Sequence, residues 1–264
     1  MKKYFVIGNP IDHSLSPMLH NYWFKKNNIN ASYDKRKINE DEIKSIIYDI
    51  KQNRIQGINV TVPFKNKVIP FLDELTSDAQ YTQSVNTIYL DNGKTIGHNT
   101  DIAGFELSIK NSKYDISKKT ILILGSGGVV PSIIFSLKKM KPDKIIISNR
   151  TKEKAETLKN LFKNLEIVDW GELPNFDMVI NATSLGLKQK DEINLDFSKV
   201  GSNKFFYDLI YNPVETNFLK KAKILGNRSE NGKMMFIYQA HQAFTIWHKK
   251  MPDIDDETLK LLDK

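Results

Sequence analysis

The sequence predicts an α/β protein of two units, the second of them a doubly wound parallel sheet. Three observations carry that reading. From Thr120 onward, short apolar runs alternate with amphipathic stretches at the spacing of strand–helix–strand units. After the first of those runs stands Gly125-Ser126-Gly127-Gly128, a turn of the kind that joins a strand to a helix. Before residue 100, strand and helix patterns also alternate, and they close on a hairpin signal.

In the first unit, Lys3–Gly8 reads as a strand, and residues 9–15 as a polar loop. Ser16-Pro17 then opens a helix, with Ser16 as N-cap and proline at the first helical position. Strand is expected over Ala31–Ile38, helix over Asp41–Lys51 and strand over Gln56–Val62, where Ile58, Val60 and Val62 alternate with Asn59 and Thr61. Pro63 ends any ladder there. Thr87–Leu90 and Lys94–Gly97 flank Asp91-Asn92-Gly93, a tight-turn sequence.

In the second unit, Thr120–Leu124 is a continuous apolar run suited to a buried parallel strand. Helix follows over Val129–Lys139, strand over Lys144–Ser148 and helix over Lys152–Phe162. Further strands are expected at Glu166–Val168, Met178–Ala182 and Phe205–Leu209. Met234–His248 and Asp255–Leu262 read as terminal helices.

Composition narrows the function classes. The 264 residues are 40% apolar and 27% charged, enough for a sizeable core in a soluble globular protein. There is no cysteine, which excludes disulfides, thiolate metal sites and a cysteine nucleophile, and fits a reducing compartment. The opening M-K-K-Y-F-V-I-G-N-P is too soon polar for a signal peptide, and no apolar run is long enough to span a bilayer. A cytoplasmic location with no membrane partner is expected. The net charge of +8 comes almost entirely from lysines spread along the chain, with Arg36, Arg54, Arg150 and Arg228 the only arginines. That spread speaks against nucleic acid, although a basic surface draws in anionic ligands. The five histidines form no cluster at metal-ligand spacing, so no metal is expected. Oligomeric state is open, with a homodimer among the options.

The glycine turn stands between a strand and a helix, the context a dinucleotide-binding fingerprint requires. Gly125 permits the tight turn, and Gly127 lets the backbone approach a pyrophosphate held at the helix N-terminus. Val130 takes the place of the third glycine, so looser or shifted helix–strand packing is expected. Where an NAD site would carry a carboxylate at the end of the second strand, this chain has Asn149-Arg150-Thr151, with Lys152 and Lys154 following. An acid there would repel a 2′-phosphate, whereas Arg150 can grip it with two hydrogen bonds. The cofactor read from these residues is NADP.

Polar residues also gather at strand ends of the first unit: Ser14 and Ser16 before a helix, then Asn59, Thr61 and Lys65, Asn86 and Asp101. Ordinary capping accounts for Ser16 but not for Ser14. A lysine and a carboxylate among hydroxyls and amides suit a polyhydroxylated acid. Eight motifs then occur in order: S-L-S-P, N-V-T-V-P-F-K, S-V-N-T, N-T-D, G-S-G-G, N-R-T, N-A-T-S-L-G and D-L-I-Y-N-P. Together, across nearly the whole chain, they resemble shikimate dehydrogenase.

The resemblance implies NADP-linked interconversion of 3-dehydroshikimate and shikimate in aromatic amino-acid biosynthesis. It implies a substrate-binding and catalytic domain of residues 1–100 plus 233–264, and an NADP-binding Rossmann domain of residues 101–232, with a cleft between them. Lys65 and Asp101 would be the catalytic pair. Ser14 and Ser16 would bind the substrate carboxylate with Tyr211 nearby, while Thr61, Asn86, Asp101 and Gln239 hold hydroxyls. Gly125, Ser126, Gly127 and Gly128 would form the phosphate loop, Asn149, Arg150, Thr151 and Lys154 the 2′-phosphate corner, and Thr183 and Gly232 would lie toward the nicotinamide. Two departures from the family pattern stand out: Val129-Val130-Pro131 after the glycines, and Met234 in place of a small residue in Gly232-Lys233-Met234-Met235-Phe236. The competing readings are a quinate/shikimate dehydrogenase using either cofactor, a noncatalytic NADP-binding module and a basic nucleic-acid binder.

Overall fold

Each of two units has an inner parallel strand beside a pair of lysines: β1, Lys2–Gly8, opens with Lys2 and Lys3, and β7, Thr120–Leu124, follows Lys118 and Lys119. The computed structural model describes residues 1–188 and 190–263. Contacts divide the chain into residues 1–104 with 237–263, and residues 105–236. Lys264, the last residue of the expected 233–264 segment, lies outside the described residues.

In the first unit, β1 is followed by α1 (Ser16–Lys26), β2 (Ala31–Lys37), α2 (Ile43–Lys51) and β3 (Gly57–Val60). The short β4 (Glu74–Leu75), α3 (Ser77–Thr82) and the hairpin β5 (Thr87–Asp91) and β6 (Lys94–His98) complete the sheet. Its order is β2-β1-β3-β5-β6-β4. β1 pairs parallel with β2 and β3, whereas β5 runs antiparallel to both β3 and β6, so the sheet is mixed. Asn92 and Gly93 make the expected two-residue turn, both at positive φ. The apolar face of α2, carrying Ile43, Ile46, Ile47 and Ile50, packs on the sheet against Ile7, Ile58 and Ile88. The expected strand over Gln56–Val62 is shorter than its alternation suggests: the ladder stops at Val60, and Val62 is 45% exposed. Ser16 is the first helical residue of α1 and makes no cap bond, contrary to its expected N-cap role.

The helix α4 (Asp101–Ser112) crosses into the second unit, where β7, α5 (Val130–Lys139), β8 (Lys144–Ser148), α6 (Lys152–Leu161) and β9 (Glu166–Val168) form one half of a sheet. The other half comprises β10 (Met178–Asn181), β11 (Phe205–Asp208), α7 (Asn217–Ile224) and β12 (Arg228–Glu230). The order β12-β11-β10-β7-β8-β9 is all parallel, the doubly wound dinucleotide-binding arrangement. Val130 is fully buried with Ile121, Ile123 and Ile133, so the helix–strand contact that a glycine usually serves is filled by an apolar side chain. α8 (Lys233–His248) runs back into the first unit, and α9 (Asp256–Lys260) ends the described chain. No helix among the described residues is long and apolar enough to cross a membrane.

Inside the first unit, α1 and the C-terminal part of α8 meet in a cluster of rings. His20 lies in it fully buried, stacked on Tyr33 with centroids 4.3 Å apart, and ringed by Trp23, Phe24, Phe244 and Trp247. Neither ring nitrogen has a hydrogen-bond partner among the described residues. Burial, with a smaller contribution from His248, pushes its pKa down from 6.5 to about 3. The unfolded chain therefore takes up a proton below pH 6.5 that the folded chain refuses, and stability falls as pH drops through that window. His20→Phe should lose less stability than wild type between pH 7 and about pH 4.5, by roughly 2–3 kcal/mol. Urea unfolding at the two pH values measures this, and equal losses for both proteins would exclude it.

Candidate active site

The topology of the first sheet decides which residues can meet. Strand order switches at β1, so the chain leaves the carboxyl ends of β1 and β3 in different directions and opens a space there. Thr61 N donates to Ile7 O at 2.9 Å and Asn9 N to Val62 O at 3.0 Å, tying those two ends together. Because β5 is antiparallel to β3, its first residue pairs with Asn59 at the same edge. β6 returns parallel to β3, and Asn99, Thr100 and Asp101 leave it there too.

Lys65 and Asp101 meet at that edge, Nζ 2.5 Å from Oδ2, with only 10% and 8% of their side chains exposed. The carboxylate is at the first turn of α4, where the helix dipole favours negative charge. Its other oxygen accepts from Asn86 Nδ2 at 2.9 Å. Asn86 is saturated: Nδ2 also reaches Thr100 Oγ1, and Oδ1 accepts from Thr100 N and the Thr87 and Thr100 hydroxyls. Asn59 braces the next layer, donating to Asn86 O at 3.1 Å and Thr87 Oγ1 at 3.0 Å, and accepting from the buried Tyr33 hydroxyl at 2.6 Å. The arrangement holds an ammonium in one direction, neutralised on one side.

Ser14 and Ser16 are adjacent and buried; Ser14 Oγ donates to Ser16 Oγ at 3.2 Å and accepts from Ser16 N at 3.3 Å. Thr61 is half-buried beside Gly8, and Gln239 is half-buried on α8 in the same unit. Tyr211 belongs to the second unit, where it stacks on Phe236 at 4.2 Å.

In the second unit the glycine turn leaves β7 at the switch between β7 and β10. Gly125 has φ +107° and a Cβ there would meet Ala182 O at 2.9 Å, so only glycine fits. A Cβ at Gly127 would meet only Ala182 O, at 3.8 Å, which leaves the backbone open to an incoming group. Ser126, Gly127 and Gly128 form the loop before α5. At the end of β8, Arg150 makes no hydrogen bond or ion pair among the described residues, whereas Lys152 is engaged by Asp169 at 2.8 Å. Asn149 donates to Thr151 O at 2.7 Å, and Thr151 sits at the N-cap position of α6 without a side-chain cap bond. Lys154 is exposed on the first turn of α6. Arg150, Asn149 and Thr183 line one cavity of about 380 Å³. Positions 149–151, just past β8, carry no carboxylate, so these residues fit a 2′-phosphorylated dinucleotide.

Thr183 is fixed by a second polar cluster. Asn181 Oδ1 accepts from Thr183 N at 3.0 Å and Oγ1 at 2.7 Å, while Asn181 Nδ2 donates to Leu185 O and to Asp208 Oδ1. Asp208, fully buried at the end of β11, also accepts from Ile210 N at 3.0 Å and Thr216 Oγ1 at 2.6 Å. Gly232, just before α8, lies so close to Leu209 that a Cβ would fall 2.2 Å from its carbonyl oxygen.

Residues 6–88 match the profile of the shikimate dehydrogenase substrate binding domain, and residues 106–209 that of shikimate / quinate 5-dehydrogenase. Over its full length the chain is 58% identical to a shikimate dehydrogenase (NADP(+)) of Pelagibacter ubique, covering 100% of both. This chain belongs to the shikimate dehydrogenase family. Two crystal structures of shikimate dehydrogenases share its fold. One, from Aquifex aeolicus, superposes with a TM-score of 0.91 at 36% identity, covering 99% of this chain and 97% of that one. The other, in complex with NADP+, gives 0.92 at 35% identity, covering 100% and 94%. Within this shikimate dehydrogenase fold, sequence reasoning missed the bracing roles of Asn59, Tyr33, Asn181 and Asp208. Asn59, Asn181 and Asp208 did carry a signal, a polar residue at or near the end of an apolar strand and opening one of the quoted motifs, whereas Tyr33 carried none.

Burial pushes the Asp208 carboxyl up to about 6, against the pull of its hydrogen bonds from Thr216, Ile210 and Asn181. The folded state therefore holds this proton more tightly than the unfolded chain does, and the group's contribution to stability declines as pH rises from about 4 to 6. Asp208→Asn removes that decline. Relative to wild type, the variant's unfolding free energy should gain about 3 kcal/mol between pH 4 and pH 7. Chemical denaturation across that range checks the sign, and a flat difference would refute it.

Proposed function

We propose that this chain is an NADP-dependent shikimate dehydrogenase, catalysing the reversible reduction of 3-dehydroshikimate to shikimate on the route to chorismate and the aromatic amino acids. The observation that carries the reading is the buried Lys65–Asp101 pair, braced by Asn86 at a strand-end opening. The family membership supplies its context. A cytoplasmic location follows from such a biosynthetic role.

Reducing a ketone requires a hydride at carbon and a proton at the oxygen that becomes negative. Bound NADPH supplies the hydride. The protein's own part is the proton and the charge. Lys65 carries three N–H groups; Asp101 engages one, which leaves the others for the substrate oxygen. A pre-aimed ammonium stabilises the developing alkoxide and delivers the proton to it. Asp101 orients Nζ and meets a neighbouring hydroxyl. Asn86 reaches a hydroxyl by exchanging one of its present bonds. Thr61 and Gln239 take further hydroxyls, while Ser14, Ser16 and Tyr211 receive the carboxylate. Residues 1–100 with 233–264 serve as the substrate-binding and catalytic domain, and residues 101–232 as the cofactor domain. There, Gly125, Ser126, Gly127 and Gly128 cradle the pyrophosphate, and Asn149, Arg150, Thr151 and Lys154 hold the 2′-phosphate. Thr183 and Gly232 lie toward the nicotinamide.

Following absorbance of the reduced nicotinamide with shikimate and quinate, each with NADP and with NAD, tests the assignment directly. Turnover of shikimate with NADP is expected; turnover of neither acid would overturn the assignment. Lys65→Ala should lower kcat by at least about a hundredfold while the fold survives. Normal turnover by a folded variant would remove Lys65 from the mechanism. Arg150→Ala should raise KM for NADP by about ten- to a hundredfold and leave kcat and NAD activity nearly unchanged. Equal use of NAD and NADP by the wild type would instead favour the dual-cofactor enzyme.

A further inference from the structure

The residues assigned to the cofactor leave unused an aromatic ring that lines the same cavity. Trp170 follows β9, which pairs parallel with β8: Ile146 opposes Glu166, Ile147 opposes Ile167 and Ser148 opposes Val168. Carried two residues past both strand ends, that register sets Trp170 beside Arg150. Two contacts hold the ends together, Ser148 Oγ donating to Asp169 O at 3.2 Å and Lys152 pairing with Asp169. Trp170 and Arg150 line the same cavity of about 380 Å³, at the small end of the range for small-molecule sites.

The cavity has a divided character. Trp170 and Leu185 both line it, and both pack against the apolar cluster that contains Leu122, Val179 and Phe206, so their surfaces form rigid apolar walls. Arg150 supplies a cation with no partner among the described residues. The carboxylate of Glu192 also faces this space, but Asn217 at 3.0 Å and Lys221 at 3.4 Å already engage it. A site for a bare phosphate has no use for an indole, and a site for an apolar ring has none for an unpaired guanidinium. The combination suits a flat heteroaromatic ring joined to an anionic group.

We propose that Trp170 is the wall on which the adenine of the cofactor stacks, so that Trp170 and Arg150 read the base and its 2′-phosphate side by side. Indole offers the largest aromatic face of any side chain, and base stacking on it needs no particular hydrogen-bond pattern. The inference rests on the NADP assignment above and adds a residue to it. It also separates two roles: Arg150 distinguishes NADP from NAD, whereas Trp170 serves both equally.

Adenosine 2′,5′-bisphosphate tests this, because it carries base and phosphate but no nicotinamide. The chain has three tryptophans, and Trp23 is fully buried in the first unit. The ligand should quench wild-type emission, and Trp170→Phe should abolish most of that quenching while binding within about threefold of wild type. By calorimetry, Trp170→Ala should weaken adenosine 2′,5′-bisphosphate, NADP and NAD alike, by about ten- to a hundredfold, with shikimate binding and Tm close to wild type. Arg150→Ala, in contrast, should spare NAD. Wild-type affinity in Trp170→Ala, or undiminished quenching in Trp170→Phe, would overturn the stacking role and leave the NADP assignment standing. A wild type that uses NAD but does not bind the bisphosphate would remove the NADP assignment and this inference together.

Discussion

Parallel strand pairing is the constraint on which the rest of this structure depends. A parallel strand packed on both faces admits few polar side chains, and Ile121, Leu122, Ile123 and Leu124 of the central β7 are all fully buried. Chemistry is therefore displaced to the carboxyl ends, where the backbone leaves the ladder. Lys65 and the glycine turn both follow that rule, Lys65 beyond β3 and the turn directly after the wholly apolar end of β7. The first sheet adds a refinement. Its antiparallel β5 brings a strand beginning to the same edge, so Asn86 arrives from the opposite chain direction and braces the ion pair from the side.

A shared device fixes both edges. Asn59 on β3 and Asn181 at the end of β10 each sit at the last turn of pleat before a functional loop. Each donates its amide to the neighbouring strand, Asn59 at Asn86 and Thr87 and Asn181 at Asp208, and Asn181 also reaches the departing backbone at Leu185 O. In the first unit the network ends in a lysine–carboxylate pair, whose charges neutralise one another. In the second it ends in Asp208, whose contacts are neutral donors only, and burial then raises its proton affinity. One edge is thus built to present a charge and the other to hold a loop still.

What the sequence made legible was local. The glycine turn, the cationic corner at Asn149-Arg150-Thr151 and the alternation of strands and helices each lie within a few consecutive residues, and the fold follows from them. Long-range pairing was not legible from the residues alone. Lys65 and Asp101 are 36 positions apart, and only the ordered motifs joined them. Tyr33 and Asn59, 26 positions apart, carried no motif to join them at all. Two local readings also failed for physical reasons. Val62 keeps the strand period, yet the backbone turns before it reaches the ladder. Ser16 looks like a cap, but its hydroxyl accepts from Ser14, and it is the Ser14 hydroxyl that accepts from the first helical N–H. Trp170 stayed hidden because its place beside Arg150 exists only once the register of β9 is known.

The unpaired state of Arg150 shapes how the protein meets its surroundings. Lys152 spends its charge on Asp169, but the exposed guanidinium at the end of β8 has no acidic partner among the described residues. Its attraction therefore passes through the ionic atmosphere, whose screening length is about 8 Å at physiological ionic strength. The buried Lys65–Asp101 pair is shielded from that atmosphere. Added salt thus acts on the corner proposed to capture the nucleotide and spares the Lys65–Asp101 pair, which divides the molecule into a part that senses the ionic medium and a part that is indifferent to it.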